Sequence, residues 1–131
     1  MKHALGVVVD HSLRDIEFVG ELPVIAKRQA GTWGILLISV AEGGLDAMIQ
    51  SLQKHMVSIA EDCWYAHFFG NGRLTVVYQD AVFAVSDGES TMAAVQYGND
   101  HGVPLEQLDF YPRTQAQAEA YFGLVDGALK D

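Results

Sequence analysis

Long apolar runs alternate with helically spaced apolar positions along the first half of the chain. The run "TWGILLISVA" at 32–41 is almost wholly apolar, which is typical of a central strand buried on both faces. A shorter apolar run at 4–11 predicts a first buried strand. The segment 45–56 spaces its apolar residues for one face of a helix. That stripe consists of Leu45, Met48, Ile49, Leu52 and Met56.

The region between the first two strands predicts helix. Ser12 followed by Asp15 resembles a capping box at a helix start. Pro23 cannot sit inside that helix, so we expect a break near Glu21. One or two further helical turns then cover 23–30, and Gly31 ends them.

The second half predicts three strands followed by helices. The strands lie at 63–69, 73–79 and 82–86, with "GNG" and "QDA" as their turns. Helical segments follow at about 91–99, 103–108 and 114–130.

This order of elements predicts an α+β fold. Tight turns between the last three strands favour a mixed, mostly antiparallel sheet of about five strands. We expect a two-layer sandwich with the helices on one face, a variant of the ferredoxin-like arrangement. A chain of 131 residues suits a single domain over 1–131, with a C-terminal helix at about 114–130.

Two registers are open for the hairpin of 63–69 and 73–79. A two-residue turn pairs Phe69 with Leu74, whereas a three-residue loop with Gly72 in the left-handed conformation pairs Phe69 with Arg73. The difference of one residue exchanges the two faces. We prefer the three-residue loop because it buries no imidazole. Its inner face would hold Trp64, Ala66, Phe68, Leu74, Val76 and Tyr78.

In that register the outer face of the hairpin is aromatic and polar together. Such a face suits a second copy of the chain in a two-fold homodimer, a small molecule, or solvent. It is our candidate ligand or interface face, and its residues are Tyr65, His67, Phe69, Arg73 and Thr75.

Composition excludes several classes of partner. The formal net charge is -9 and the chain has only 8 Lys and Arg, so nucleic acid and anionic membrane surfaces are poor partners. No apolar stretch has membrane-spanning length. The single cysteine allows no intramolecular disulfide and no multi-thiolate metal site. We expect an acidic, cytoplasmic protein.

No residue pattern indicates a catalytic, cofactor or metal site. Cys63 and His67 are separated by about 13 Å along a strand, too far for a nucleophile and its base. The five histidines lack metal-ligand spacing. Asp10 and His11 stand at a strand end, but a helix start there also accounts for polar residues. We therefore assign no catalytic residue, cofactor or metal.

Four segments together resemble a family of short uncharacterised bacterial and archaeal proteins. They are "WYAHFF" at 64–69, "VFAVS" at 82–86, "YGNDHGVP" at 97–104 and "EQLDFYP" at 106–112. Separately, "GILLISVAEGGLDAMIQSLQKHM" at 34–56 resembles the strand-then-helix half of a ferredoxin-like or ACT-type domain. Neither resemblance implies an activity.

Three functions remain open from the sequence. The first is a small non-catalytic domain that binds a ligand or a protein partner as a homodimer. The second is an enzyme with acid-base chemistry at His67 and Tyr65. The third is a structural subunit of a larger assembly that docks through the helix at 114–130.

Overall fold

The computed structural model describes residues 3–70 and 72–129 and has an α+β architecture. Strands β1 to β6 span His3–Val9, Val24–Ala30, Trp33–Ala41, Tyr65–Gly70, Arg73–Tyr78 and Ala81–Val85. Helices α1 to α4 span Ile16–Glu21, Leu45–His55, Gly88–Asp100 and Gln115–Tyr121. Single 3₁₀ turns lie at Asp10–Ser12, Glu42–Gly44 and Leu105–Gln107.

The six strands form one antiparallel sheet in the order β2-β3-β1-β4-β5-β6. The two apolar runs of the N-terminal half lie next to each other near its centre as β1 and β3, which pair from His3–Ala41 to Val9–Ile35. Successive residues of β3 such as Leu36 and Leu37 are both buried, although they point to opposite faces. Both faces of the central strands are therefore covered, as the continuous apolar run predicted.

Helices α1 and α2 cover one face of the sheet. The α2 side chains of Ile49 and Leu52 pack with Met56 against apolar residues of β1, β3, β4 and β5. The strand residues in this cluster are Val8, Leu36, Ile38, Val40, Ala66, Phe68 and Val77. The predicted helix at 45–56 and its apolar stripe are thus confirmed, with its end at His55.

The opposite face is covered as well, by α3, the segment 101–114 and α4. Ala94, Val103, Leu108, Phe110, Ala118 and Phe122 supply the cover. They pack on Leu5, Val7, Ile35, Leu37, Phe69, Leu74, Val76 and Tyr78 of the sheet. The α+β class is confirmed, but the sheet has six strands rather than about five, and its second face is not open.

The predicted helical turns at 23–30 are wrong, because Val24–Ala30 is β2, an edge strand. Pro23 immediately precedes it, where a strand tolerates proline. Gly31, with a φ of 61°, makes the turn into β3. Most of β2 is exposed, so no buried alternation marks it as a strand in the sequence.

The preferred hairpin register is also wrong. Phe69 pairs with Leu74 and Gly70 with Arg73, which is the two-residue turn. Gly72 has the positive φ, 74°, that a primed two-residue turn requires. Tyr65, His67 and Phe69 therefore face the same side as Leu74, Val76 and Tyr78. The fixed register places the histidine in the interior.

The predicted helix at 114–130 is shorter in the structure. Helix α4 begins after Thr114, whose side chain accepts a hydrogen bond from the Gln117 N–H, and it ends at Tyr121. Gly123, with a φ of 70°, follows the helix end. The rest of the described tail folds back by turns, and the Glu119 carboxylate accepts hydrogen bonds from the backbone N–H groups of Gly127 and Leu129. The last residue of the predicted helix, at position 130, lies outside the described residues.

Candidate functional site

The five residues of the predicted outer face do not share one face. Tyr65, His67 and Phe69 lie on the side covered by α3 and α4, and His67 is only 2% exposed. Arg73 and Thr75 pair with Gly70 and Phe68, which places them on the side of α2. The predicted open face is absent because the register exchanges its two halves.

The C-terminal part of the chain covers Tyr65 and His67 through hydrogen bonds to its backbone. The Tyr65 hydroxyl donates to the Gln107 carbonyl. His67 Nε2 lies 2.8 Å from the Pro112 carbonyl oxygen. A carbonyl only accepts hydrogen bonds, so Nε2 carries the proton, and in the neutral ring Nδ1 is the acceptor nitrogen.

Phe110 lies in the segment that covers Tyr65 and His67 and has an unusual backbone conformation. It has a φ of 51°, a left-handed conformation that is costly for a bulky side chain. Its ring is fully buried and meets the Tyr65 ring edge-to-face at 5.4 Å. The neighbouring side chains of Asp109 and Tyr111 are both exposed and line a cleft beside it. The backbone turn at Phe110 thus anchors the segment in the core while its neighbours border open space.

That cleft has a volume of about 210 Å³ and lies between the central strands and the segment 103–121. We call it the aromatic cleft. Its aliphatic lining is Val7, Val9, Ile35 and Val103. Its polar lining is Cys63, His67, Gln107 and Asp109. Its aromatic lining is Trp33, Trp64, Tyr65, Tyr111 and Tyr121.

The aromatic side chains of the cleft also contact one another. Trp33 and Trp64 meet edge-to-face at 5.1 Å, and Tyr111 and Tyr121 do so at 5.9 Å. Arg28 of β2 donates to the Tyr121 carbonyl and places its guanidinium 4.4 Å from the centroid of the Tyr121 ring. These contacts favour the orientations that Trp33, Trp64, Tyr111 and Tyr121 have in the wall.

Burial favours the neutral form of three titratable groups of the cleft wall, His67, Cys63 and Tyr65. It lowers the pKa of His67 from 6.5 to about 4, although the hydrogen bond to Pro112 acts in the opposite direction. Burial, followed by the charges of Asp62 and Asp80, raises the pKa of the Cys63 thiol to about 11. Burial and then Asp109 raise the pKa of Tyr65 well above its usual range. At neutral pH these three side chains are an imidazole, a thiol and a phenol.

The structure brings together some predicted residues and separates others. Tyr65 and His67 line the aromatic cleft with Cys63. Phe69 and Arg73 line other surface grooves, and Thr75 lines one of about 640 Å³ on the α2 side. Asp10 has a structural contact: its carboxylate accepts a hydrogen bond of 3.0 Å from the Gly34 N–H.

The sequence interpretation missed the residues that the C-terminal half brings to the cleft. These are Val103, Gln107, Asp109, Tyr111 and Tyr121, and Trp33 from the start of β3 was also missed. A signal existed in "DFYPR", where aromatic residues flank a proline in a segment without regular structure. Nothing in the sequence placed that segment over β4.

Comparison with protein-family models, with curated proteins and with solved structures finds no match to this chain. Over residues 3–70 and 72–129, no group of three or more His, Cys, Asp or Glu side chains is placed to hold a metal ion. None of the helices described is long and apolar enough to cross a bilayer.

Proposed function

We propose that this protein binds a small molecule in the aromatic cleft. The observation that carries the proposal is a concave site with five aromatic side chains in its wall and a few polar groups among them. Ligand sites in proteins have this composition. The cleft is somewhat larger than the cavity of about 150 Å³ that is known to accept benzene, so the ligand is small.

The pKa values of His67 and Cys63 favour binding over acid-base or nucleophilic catalysis. A general base works best with a pKa near the working pH, and that of His67 is about 4. A nucleophilic cysteine needs a lowered pKa, whereas that of Cys63 is about 11. The enzyme with chemistry at His67 and Tyr65 remains the alternative. It would be excluded if His67→Gln and Tyr65→Phe left any detected turnover unchanged.

At the level of fold, we propose a ferredoxin-like unit with an addition. Strands β1 to β4 with α1 and α2 follow one another as β-α-β-β-α-β, and the strand order β2-β3-β1-β4 supports this assignment. Strands β5 and β6 extend the sheet past β4, and the chain from α3 onward covers the face opposite α1 and α2. The kinship with short uncharacterised bacterial and archaeal proteins is likewise a proposal.

The homodimer, the protein partner and the cytoplasmic location also remain proposals. The open sheet face that suggested a dimer is covered, so a second copy would have to use other surfaces. Exposed apolar side chains on the two edge strands support such a contact, Ile25 on β2 and Val82 on β6. A free thiol at Cys63 is compatible with a reducing compartment.

Intrinsic fluorescence tests the binding proposal directly. Trp33 and Trp64 are the only two tryptophans of the chain, and both line the cleft. A set of small apolar and aromatic compounds should therefore yield members that change the emission and saturate.

The variant Val9→Phe, which fills the cleft from β1, should weaken such binding by about tenfold or more. The control Val82→Phe adds the same bulk at an exposed position of β6 and should leave binding unchanged. Equal loss in both variants, or no saturable change in the unaltered protein, would refute the proposal.

A further inference from the structure

We propose that the aromatic cleft is selective for a small organic cation, an alkylated ammonium group whose substituents contact the aromatic rings while Asp109 balances its charge. This inference rests on the proposed function and adds the chemical class of the ligand.

The described lining of the cleft carries one charged side chain, and its charge is negative. Asp109 is the single Asp or Glu among the lining side chains that the structure describes, and no Lys or Arg lies among them. His67, the other group that could carry a positive charge, is held neutral. A positive ligand therefore meets a complementary charge and an anionic one meets a repulsive charge.

Two arginines lie near the cleft but not among the residues that line it. The Arg113 guanidinium donates two hydrogen bonds to the Asp109 carbonyl, with Nε at 3.1 Å and Nη2 at 2.8 Å. At both His67 and Tyr65, the charge of Asp109 has a larger effect than that of Arg113. Arg28 is engaged with the ring and carbonyl of Tyr121.

The contact of Arg28 is itself an indication of what the wall attracts. A guanidinium 4.4 Å from the centroid of Tyr121 shows that this part of the wall accepts a cation on a ring face. Trp33, Trp64, Tyr65 and Tyr111 give further rings within the same cleft. Tryptophan and tyrosine are the side chains that attract quaternary ammonium groups most strongly. Rings and charge thus favour the same ligand class.

Size limits the cation to a compact one. The cleft of about 210 Å³ has a buried floor of Val7, Ile35, His67 and Val103, whereas Asp109 and Gln107 are exposed at its rim. An ammonium group with a few alkyl carbons fits this volume, and a nucleotide does not. The exposed rim carboxylate would face the charged part of the ligand, and the apolar substituents would contact the floor and walls.

Three probes of nearly equal shape but different charge distinguish the effect of ligand charge on affinity from the effect of ligand shape. Choline carries a trimethylammonium group, 3,3-dimethylbutan-1-ol replaces its nitrogen by carbon, and 3,3-dimethylbutanoate carries a negative charge. Each is titrated into the whole chain at constant ionic strength, with tryptophan emission and a calorimetric titration as readouts. Choline should bind about tenfold tighter than the neutral alcohol, and the carboxylate should bind weakest.

Two matched variants test whether the preference for choline depends on the charge of Asp109. Asp109→Asn keeps the shape of the rim and removes its charge, so choline should bind about fivefold more weakly while the alcohol is unaffected. Asp46→Asn removes an exposed charge of α2 on the other side of the sheet and should change neither. Thermal unfolding of each variant checks that the fold is retained.

The outcomes distinguish this inference from the proposed function. If the alcohol binds as tightly as choline, or Asp109→Asn has no effect on choline, the cation inference is wrong and the binding cleft stands. If none of the three probes binds at millimolar concentration, the cation inference is overturned, whereas the proposed function fails only if the apolar and aromatic compounds also give no saturable change in tryptophan emission.

Discussion

At the scale of single residues, His67 shows how pairing within a hairpin decides the chemistry of a side chain. It stands opposite Val76 on the covered face of the sheet, with Nε2 on the Pro112 carbonyl. A slip of one residue would have placed the same ring on the other face. The interior position keeps the ring neutral and makes it part of the cleft floor.

This burial predicts a pH-dependent stability. Unfolded, His67 titrates near 6.5, and folded near 4, so between these values the unfolded chain binds more protons. Above pH 6.5 His67 is neutral in both states and costs the folded chain no stability from protonation. As the pH falls from 6.5 toward 4, proton binding to the unfolded chain lowers the free energy of unfolding by roughly 3 kcal/mol. Asp109, Arg113 and Tyr65 are the titratable or charged groups around it.

Urea unfolding at several pH values between 7.5 and 4.5 measures this loss. The variant His67→Gln removes the titrating group, so its unfolding free energy should fall less steeply over that range than that of the unaltered chain. Parallel pH profiles for the two proteins would contradict the assignment of the proton uptake to His67.

Substitution by alanine is expected to have opposite effects on stability at two helical glycines, Gly98 and Gly20. A Cβ at Gly98 of α3 would lie 2.5 Å from the Tyr78 hydroxyl and 2.8 Å from Leu108 Cδ2. The Tyr78 side chain is buried and donates a 2.7 Å hydrogen bond to the Ala94 carbonyl, so it cannot easily move away. Gly98→Ala should therefore destabilise the protein by about 1–3 kcal/mol.

Gly20 of α1 is the matched control. Apart from Gly20 itself, its two chain neighbours and the backbone of its own helix, no atom of the described residues lies within 4 Å of the position that its Cβ would occupy, and the residue is exposed. Gly20→Ala should raise the unfolding free energy by about 0.5–1 kcal/mol through helix propensity. Denaturant midpoints of both variants measure the difference, and equal shifts would show that contact with Tyr78 is not the cause.

At the scale of secondary structure elements, α4 and the tail act as part of the core. Ala118 and Phe122 are buried against the sheet, and the Arg28 guanidinium of β2 binds the Tyr121 carbonyl. We therefore expect α4 and the tail to stabilise the fold. Docking of this segment on a larger assembly is a separate prediction, and deletion of the segment tests it.

Phe122→Ala should cost about 3 kcal/mol of unfolding free energy because the side chain is only 9% exposed. Val125→Ala in the same tail removes an apolar side chain that is 78% exposed and should change stability by less than about 0.5 kcal/mol. A chain ending at residue 113 should lose cooperative unfolding. A truncated chain as stable as the full one would instead support a free docking role.

Element predictions succeeded where a local pattern and the final environment agreed. Helix α2 has a stripe of apolar residues, and β3 has a continuous apolar run, so each was predicted within one residue at either end. Strand β2 failed because it is an exposed edge whose Lys27, Arg28 and Gln29 also suit a helix. Its strand state comes from hydrogen bonds to β3, which no local pattern of β2 shows.

At the scale of the whole molecule, the open question is association. The predicted homodimer would bury apolar side chains of an edge strand, since both faces of the sheet are largely covered by the chain itself. Sedimentation at micromolar concentration should show twice the chain mass. Ile25→Lys and Val82→Lys then identify the edge, and a monomer at all concentrations would contradict the dimer.

The sequence by itself determined the α+β class, the central strands and the apolar stripe of α2. These follow from the periodicity of apolar residues, which is a property of short segments. Only the tertiary structure decided the register of β4 and β5, the strand state of β2 and the cover over the second face. Each of these depends on which distant segment supplies the hydrogen bonds and apolar contacts, and the aromatic cleft exists only because residues 103–121 pack over β4.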